Sequence, residues 1–300
     1  MNKKEKPDSK IHNPNTAKNI KTAFVLNSGF IILEVFGGIL TNSMAILSDA
    51  LHDLGDSLSL GLAWYFQKFS TKKKDNKFSF GYKRFSLLGA VINSLVLFAG
   101  SIFVLNETIP RLFSPQHPKT KGMFILALLG IGVNGIAALK LKKGNSLNEK
   151  MVSLHFLEDV LGWTAVLVGS VVMTVVDFPR LDPILSVSIT IYILFNVFKN
   201  LKTNFRIFLQ GVPYRTDMAE IEKKILELPG VNSIHDIHVW TLDGQYNILT
   251  LHLVLEEIYN EQKIKNLKGQ IKHLLKDLKI DHMTIEIDSK DDECFLEECT

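Results

Sequence analysis

Ser48-Asp49-Ala50-Leu51-His52-Asp53-Leu54-Gly55-Asp56 sits inside an apolar stretch running from about residue 44 to 66. On a helix, positions 49, 52, 53 and 56 follow i, i+3, i+4, i+7 and share one face. Three carboxylates and an imidazole therefore form a polar stripe on a segment that is apolar elsewhere. The stretch is long enough to cross a bilayer, which takes roughly 17–25 residues. Ionisable groups at that depth cost roughly 2.5–3.5 kcal/mol each on insertion scales for Asp, Lys or Arg. No Lys or Arg lies within the stretch to offset them.

A second apolar stretch, about 152–175, repeats the device. His155, Glu158 and Asp159 share a face, with Gly162 continuing it. Pairing the i, i+4 positions gives His52 with Asp56 and His155 with Asp159, two imidazole nitrogens and two carboxylate oxygens. A bound dication supplies the missing positive charge, and two facing helices can present these four groups as the tetrahedron that zinc favours. Imidazole tilts the choice away from magnesium and calcium, which prefer oxygen shells. The competing reading makes each His a core histidine and the acids the lining of a wet cavity; two matched pairs weigh against it. Asp49, Asp53 and Glu158 read as supporting acceptors or cation-path residues, and Asp49 equally as a group bonding nearby backbone.

Working outward, six apolar stretches are long enough to span a membrane, near 22–40, 44–66, 86–108, 121–140, 152–175 and 183–200. Thr41-Asn42 leaves a very short connection between the first two. Pro110, Pro115 and Pro118 are expected to break the chain between the third and fourth, and Pro179 and Pro183 to flank the turn between the fifth and sixth. Lysines crowd the N-terminal arm, the second-to-third loop (Lys68 to Arg84) and the fourth-to-fifth loop (Lys140 to Lys150). The opposite loops offer only Arg111, Lys119, Lys121 and Arg180. The positive-inside rule then places both termini in the cytoplasm. The Lys-rich start is followed by no small-residue cleavage pattern, so the first helix is read as retained.

Of the 300 residues, 46% are hydrophobic, and they concentrate before about residue 200. Beyond Leu201 the texture is that of a small α+β domain. Asp217 with Glu220 opens a helix to about Leu228, Asp243-Gly244 marks a hairpin between strands at Val231 to Leu242 and Tyr246 to Leu255, and a helix at Asn260 to Leu278 precedes a strand at Met283 to Asp288. From Pro213 onward ten Lys/Arg face eighteen Asp/Glu, a balance that argues against nucleic acid and suits a cation. Only two cysteines occur, Cys294 and Cys299, in an acidic tail, so the body of the protein holds no disulfide framework.

These residues resemble the cation diffusion facilitator family, the proton-coupled metal exporters that include the ZnT zinc transporters. The likeness rests on Asn27, Glu34, Gly37-Gly38, the stretch from Ser43 through Asp56, Phe80-Gly81-Tyr82-Lys83-Arg84, His155-Phe156-Leu157-Glu158-Asp159, Asp182-Pro183, His238-Val239-Trp240 and Thr284-Ile285-Glu286. The resemblance implies that His52, Asp56, His155 and Asp159 form a transport site exchanging Zn2+ for protons by alternating access. It implies a homodimer in the cell (inner or plasma) membrane, with no prosthetic group. The expected fold is an α-helical membrane bundle of six transmembrane helices plus a C-terminal cytoplasmic α+β ferredoxin-like domain. Its parts are an N-terminal arm at 1–21, the transport domain at 22–200, the cytoplasmic domain at 201–290 and the acidic tail at 291–300.

His235, His252, Glu286 and Asp288 fall near positions where members of that family hold regulatory metal at the domain's dimer contact. The alternative is polar surface on a half-exposed sheet. His at position 52 favours zinc within the family, with cobalt, cadmium, iron or manganese as rivals, and a non-transporting metal sensor as a further reading. An intramembrane metalloenzyme would want His-Glu-x-x-His or many more histidines. The run from Lys142 to Ser153 has no histidine, and Lys72-Lys73-Lys74-Asp75-Asn76-Lys77 offers little to a metal; its lysines face anionic lipid or solvent.

Overall fold

The computed structural model describes residues 14–142, 147–256 and 260–288. The arm before residue 14 and the tail with Cys294 and Cys299 lie outside them. Six long helices come first: α1 (Pro14–Thr41), α2 (Met44–Ser70), α3 (Phe85–Phe113), α4 (Thr120–Lys142), α5 (Leu147–Val176) and α6 (Leu181–Phe208). A smaller region follows: α7 (Met218–Leu226), β1 (Val231–Thr241), β2 (Asn247–Leu255), α8 (Glu261–Asp277) and β3 (His282–Asp288). The chain divides into two compact units. One holds α1, α4, α5 and most of α2, α3 and α6; the other holds the remaining ends of α2, α3 and α6, the α2–α3 loop and everything from α7 to β3.

Among the described residues, four helical stretches are long and apolar enough to cross a membrane: Phe85–Phe113, Thr120–Lys142, Val152–Val176 and Leu181–Phe208. Their outward side chains are apolar and bare, including Phe103, Ile136, Leu161, Val175 and Phe195. That inversion of a soluble surface is what lipid requires. Two prolines depart from expectation. Pro110 lies inside α3, one turn from its end, where the helix loses a single bond and the Ser114 N–H closes onto the Pro110 carbonyl at 2.9 Å. Pro183 sits in the first turn of α6, where no N–H is needed.

The interior of the first unit is built around Trp163. It is fully buried, meets Phe30 edge-on at 5.6 Å, and stands against Gly130 of α4, where any Cβ would collide with the indole. Phe30, Ala45, Ile46, Met123, Ala127, Val166 and Met173 complete this apolar cluster. A polar seam joins α2 to α6. Asp182 accepts the Ser43 hydroxyl and the backbone N–H groups of Met44 (2.8 Å) and Ala45 (3.2 Å), so α6 caps the open amides at the start of α2. Farther along, the hydroxyls of Ser48 and Ser186 are 2.6 Å apart, with Thr108 of α3 3.1 Å from Ser186. This seam fixes the rotation of α2, and with it the direction in which His52 and Asp56 point.

In the second unit the strands run in order β1-β2-β3, with β1 and β2 antiparallel and β2 and β3 parallel. Period-2 alternation sends Leu249, Leu251, Leu253 and Leu255 against Ile221, Ile225, Leu267 and Ile271 of α7 and α8. Asp217 caps α7 as expected, whereas Glu220 pairs with Lys224 at 2.7 Å. Gly244 turns the hairpin at φ 85, and the Asp243 carboxylate accepts the N–H groups of Gln245 and Tyr246.

The α2–α3 loop is folded on itself. Asp75 accepts the N–H groups of Lys77 (2.9 Å) and Phe78 (3.0 Å) and the Tyr82 hydroxyl (2.7 Å). Gly81 adopts φ 75, a conformation that strains any residue with a side chain, and a Cβ there would crowd the Lys72 carbonyl at 3.1 Å.

Candidate functional site

The structure brings the residues of the two His-x-x-x-Asp pairs together as a chain. His52 Nε2 is 3.8 Å from Asp56 Oδ2, Asp56 Oδ2 is 3.4 Å from His155 Nε2, and His155 Nε2 is 3.9 Å from Asp159 Oδ2. Zinc held at about 2.0–2.1 Å by nitrogen and oxygen separates neighbouring ligand atoms by about 3.3 Å in a tetrahedron. The three separations exceed that value by about 0.1–0.6 Å, and no three of the four groups have ligand atoms all within 4.8 Å of one another, so the helices must draw in to close a tetrahedron. His52, Asp56 and His155 are partly accessible, while the Asp159 side chain is 2% exposed and neither of its oxygens has a donor among the described residues. A buried carboxylate without a donor is costly unless a cation completes it.

Around this chain stand further acids. Glu34 on α1 is fully buried beside Asp53, and Asp49 and Asp53 are buried on α2. Asp49 Oδ1 lies 3.4 Å from where a Cβ on Gly162 would be, an ordinary contact that places Asp49 against the face of α5 continuing the stripe. Among the described residues Asp49 Oδ2, Asp53 Oδ2 and both Glu34 oxygens also have no N–H or hydroxyl donor, and Glu34 and Asp53 face each other. Glu34, absent from the polar stripe itself, faces this group from a neighbouring helix. Its signal in the sequence is an acid amid the apolar run Phe30-Ile31-Ile32-Leu33 and Val35-Phe36.

The second cluster lies on the face of the sheet turned away from α7 and α8. His235, His252 and Glu286 are register partners across β1, β2 and β3. Asp288 Oδ2 bridges the two imidazoles, 3.1 Å from His235 Nε2 and 3.0 Å from His252 Nδ1. Among the described residues, His235, His252 and Asp288 are the one group of three whose ligand atoms all lie within 4.8 Å of one another. Glu286 is peripheral, 68% exposed and 3.7 Å from His252 Nε2.

Asp236 is the member that sequence reasoning did not find. A bulge between His235 and His238, with Asp236 at φ 49, turns its carboxylate to 3.5 Å from His252 Nε2 and 2.7 Å from His238 Nε2. Strict alternation along β1 would put residues 235 and 236 on opposite faces, so the bulge hides the contact from any period-2 reading.

Residues 20–209 match the cation efflux transmembrane domain, and residues 213–290 the cation efflux protein cytoplasmic domain. The chain is 35% identical over 280 residues to the metal cation efflux system protein CzcD of Cupriavidus metallidurans, covering 92% of this chain and 88% of that protein. It is 32% identical over 286 residues to the cadmium, cobalt and zinc/H(+)-K(+) antiporter of Bacillus subtilis (93% and 92%). It is 30% identical over 285 residues to the zinc transporter ZitB of Escherichia coli (93% and 90%). With both domains matched and the likeness running through nearly its whole length, the chain belongs to the cation efflux family of membrane metal-cation transporters.

Proposed function

We propose that the chain exports Zn2+ from the cytoplasm in exchange for protons, by alternating access at a site made by His52, Asp56, His155 and Asp159. The observation that carries this reading is the donorless, buried Asp159 carboxylate at the end of a chain of alternating imidazoles and carboxylates. Metal binds the deprotonated forms of these groups, so protons arriving from the far side displace it, and their return drives the cycle. Two nitrogens among the donors favour zinc over hard cations, and zinc, cadmium and cobalt, the metals in the names of similar proteins, all suit such donors.

The architecture that supports this function has six spans, both termini in the cytoplasm of the inner or plasma membrane, and a transport domain over 22–200. The α–β–β–α–β order beyond residue 201 reads as a ferredoxin-like domain, and its open sheet face as the contact of a homodimer. At that face His235, His252 and Asp288, with Asp236 and Glu286 beside them, form a candidate regulatory zinc site.

Zinc flux into proteoliposomes under a pH gradient tests the transport site. Asp56→Ala and Asp159→Ala should each abolish flux; full activity in both removes the assignment. His52→Asp, which makes the site richer in oxygen, should shift preference toward cadmium or manganese, and an unaltered preference would remove the reason for naming zinc.

A further inference from the structure

The α2–α3 loop, the segment after α6 and the end of β1 enclose a cavity of about 380 Å3 within the second unit. Its walls include Lys77, Phe80, Lys83, Arg84, Gln210 and Trp240. Three cations therefore share one small volume, and no carboxylate lines it among the described residues. Among the described residues Arg84 makes no ion pair, and its buried Nε has no acceptor. Lys83 lies over the Tyr246 ring, 4.4 Å from Nζ to centroid, and among the described residues it has no ion-pair partner. Asp75, the nearest acid in sequence, is already committed to Tyr82 and two backbone amides.

Like charges gathered without a counter-charge destabilise the fold that gathers them. The segment from Pro213 onward carries ten Lys/Arg against eighteen Asp/Glu, yet none of those carboxylates lines the pocket among the described residues. We propose that this pocket binds the phosphate group of an organic phosphate, either an acidic phospholipid headgroup or a soluble phosphate ester. Arg84 and Lys83 meet the phosphate oxygens, with Lys77 at the rim. Phe80 and Trp240 offer an apolar wall to the rest of the ester, and the Gln210 amide a further donor.

The pocket's place favours a membrane source. Its walls come from the residues leading into α3 and following α6, the ends of spans adjoining the domain matched as cytoplasmic, where headgroup phosphates lie. An occupant would tie the α2–α3 loop to Gln210 and Trp240, adding to the contacts the loop makes through Lys83 with the Tyr246 ring and through Phe80 with the His282 ring.

The test is thermal unfolding of the full-length protein in neutral detergent, titrated with short-chain phosphatidylglycerol, short-chain phosphatidylcholine or glycerol 3-phosphate. A saturable rise in Tm with phosphatidylglycerol alone identifies a lipid headgroup site, and an equal rise with glycerol 3-phosphate identifies a soluble ester; both support the proposal. No rise with either anion, or the same rise with phosphatidylcholine, overturns it. Lys77→Gln, at an exposed side chain, should weaken binding roughly fivefold. The Lys83→Gln/Arg84→Gln double variant should abolish it. Should the double variant fail to fold, Lys77→Gln decides, and an unchanged titration midpoint there overturns the proposal. The readout needs neither zinc nor transport.

Discussion

His155 Nε2 lies 3.4 Å from Asp56 Oδ2, closer than either residue stands to its i+4 partner on its own helix. The site is thus joined across α2 and α5, with one carboxylate between two imidazoles. Asp56→Asn keeps the size of that group and removes its charge. Zinc affinity should fall by more than the roughly 10–100-fold typical of losing a partner that only orients a ligand. His52→Ala, at the end of the chain, should cost less. Calorimetry on the detergent-solubilised protein measures both, and in buffers of different ionisation enthalpy it also counts the protons released. About one to two per zinc are expected, because imidazole and carboxylate bind metal only when deprotonated; affinity therefore falls as pH falls.

Asp75 holds the α2–α3 loop shut, and its carboxyl lies below the usual carboxylate range. The Tyr82 hydroxyl is the largest cause, followed by the Lys77 and Phe78 amides. A depressed folded value means the stabilisation is complete above the ordinary pKa of about 3.9 and is lost only as pH drops through the lower, folded one. Tryptic cleavage at Lys72 to Lys77 should accordingly be insensitive to pH from neutrality down to mild acid. Asp75→Ala should speed it several-fold at neutral pH. A cleavage rate that rises already in mild acid would contradict this account of the loop.

The polar stripes were readable because helical spacing and membrane cost act on every residue locally: His52, Asp56, His155 and Asp159 could be paired from i, i+4 alone. Their connection across helices could not, since it depends on the rotation of α2, set by Asp182 on α6, 139 residues from Ser43 in sequence. Helix ends were also hidden. Hydropathy detects only the lipid-thick part of a helix, so α6 runs on through Lys199 and Arg206 to Phe208. Asp236 escaped for another reason: a bulge changes which face a strand residue takes, and neither its presence nor its place is written in alternation.

Asp182 gives that rotation a measurable weight. Three donors from the start of α2 converge on its buried carboxylate, and removing the acceptor leaves them bare. Asp182→Ala should destabilise the solubilised protein by about 2 kcal/mol or more, as a lost cap combined with buried unsatisfied amides. Ser43→Ala removes one of the three and should cost about 1 kcal/mol. Denaturation midpoints report the stability. Asp182→Ala should also lower zinc affinity, because His52 and Asp56 ride on the helix it orients; equal stability and unchanged affinity would leave the α2–α6 seam without a role.

The cytoplasmic cluster can be separated from the membrane site by working in the Asp56→Ala/Asp159→Ala background, where the membrane site has lost both carboxylates. Zinc should still bind the full-length chain there, through His235, His252 and Asp288. His252 is the hinge of that group: Nδ1 faces Asp288 and Nε2 faces Asp236 and Glu286. His252→Ala should therefore remove the residual binding. Asp236→Ala should weaken it by roughly 10–100-fold, the range for a group that orients a ligand and tunes its basicity. Glu286→Ala, at an exposed side chain, should change it little. The ordering distinguishes a built site from polar surface, because scattered surface groups would lose affinity by similar small amounts whichever residue is removed.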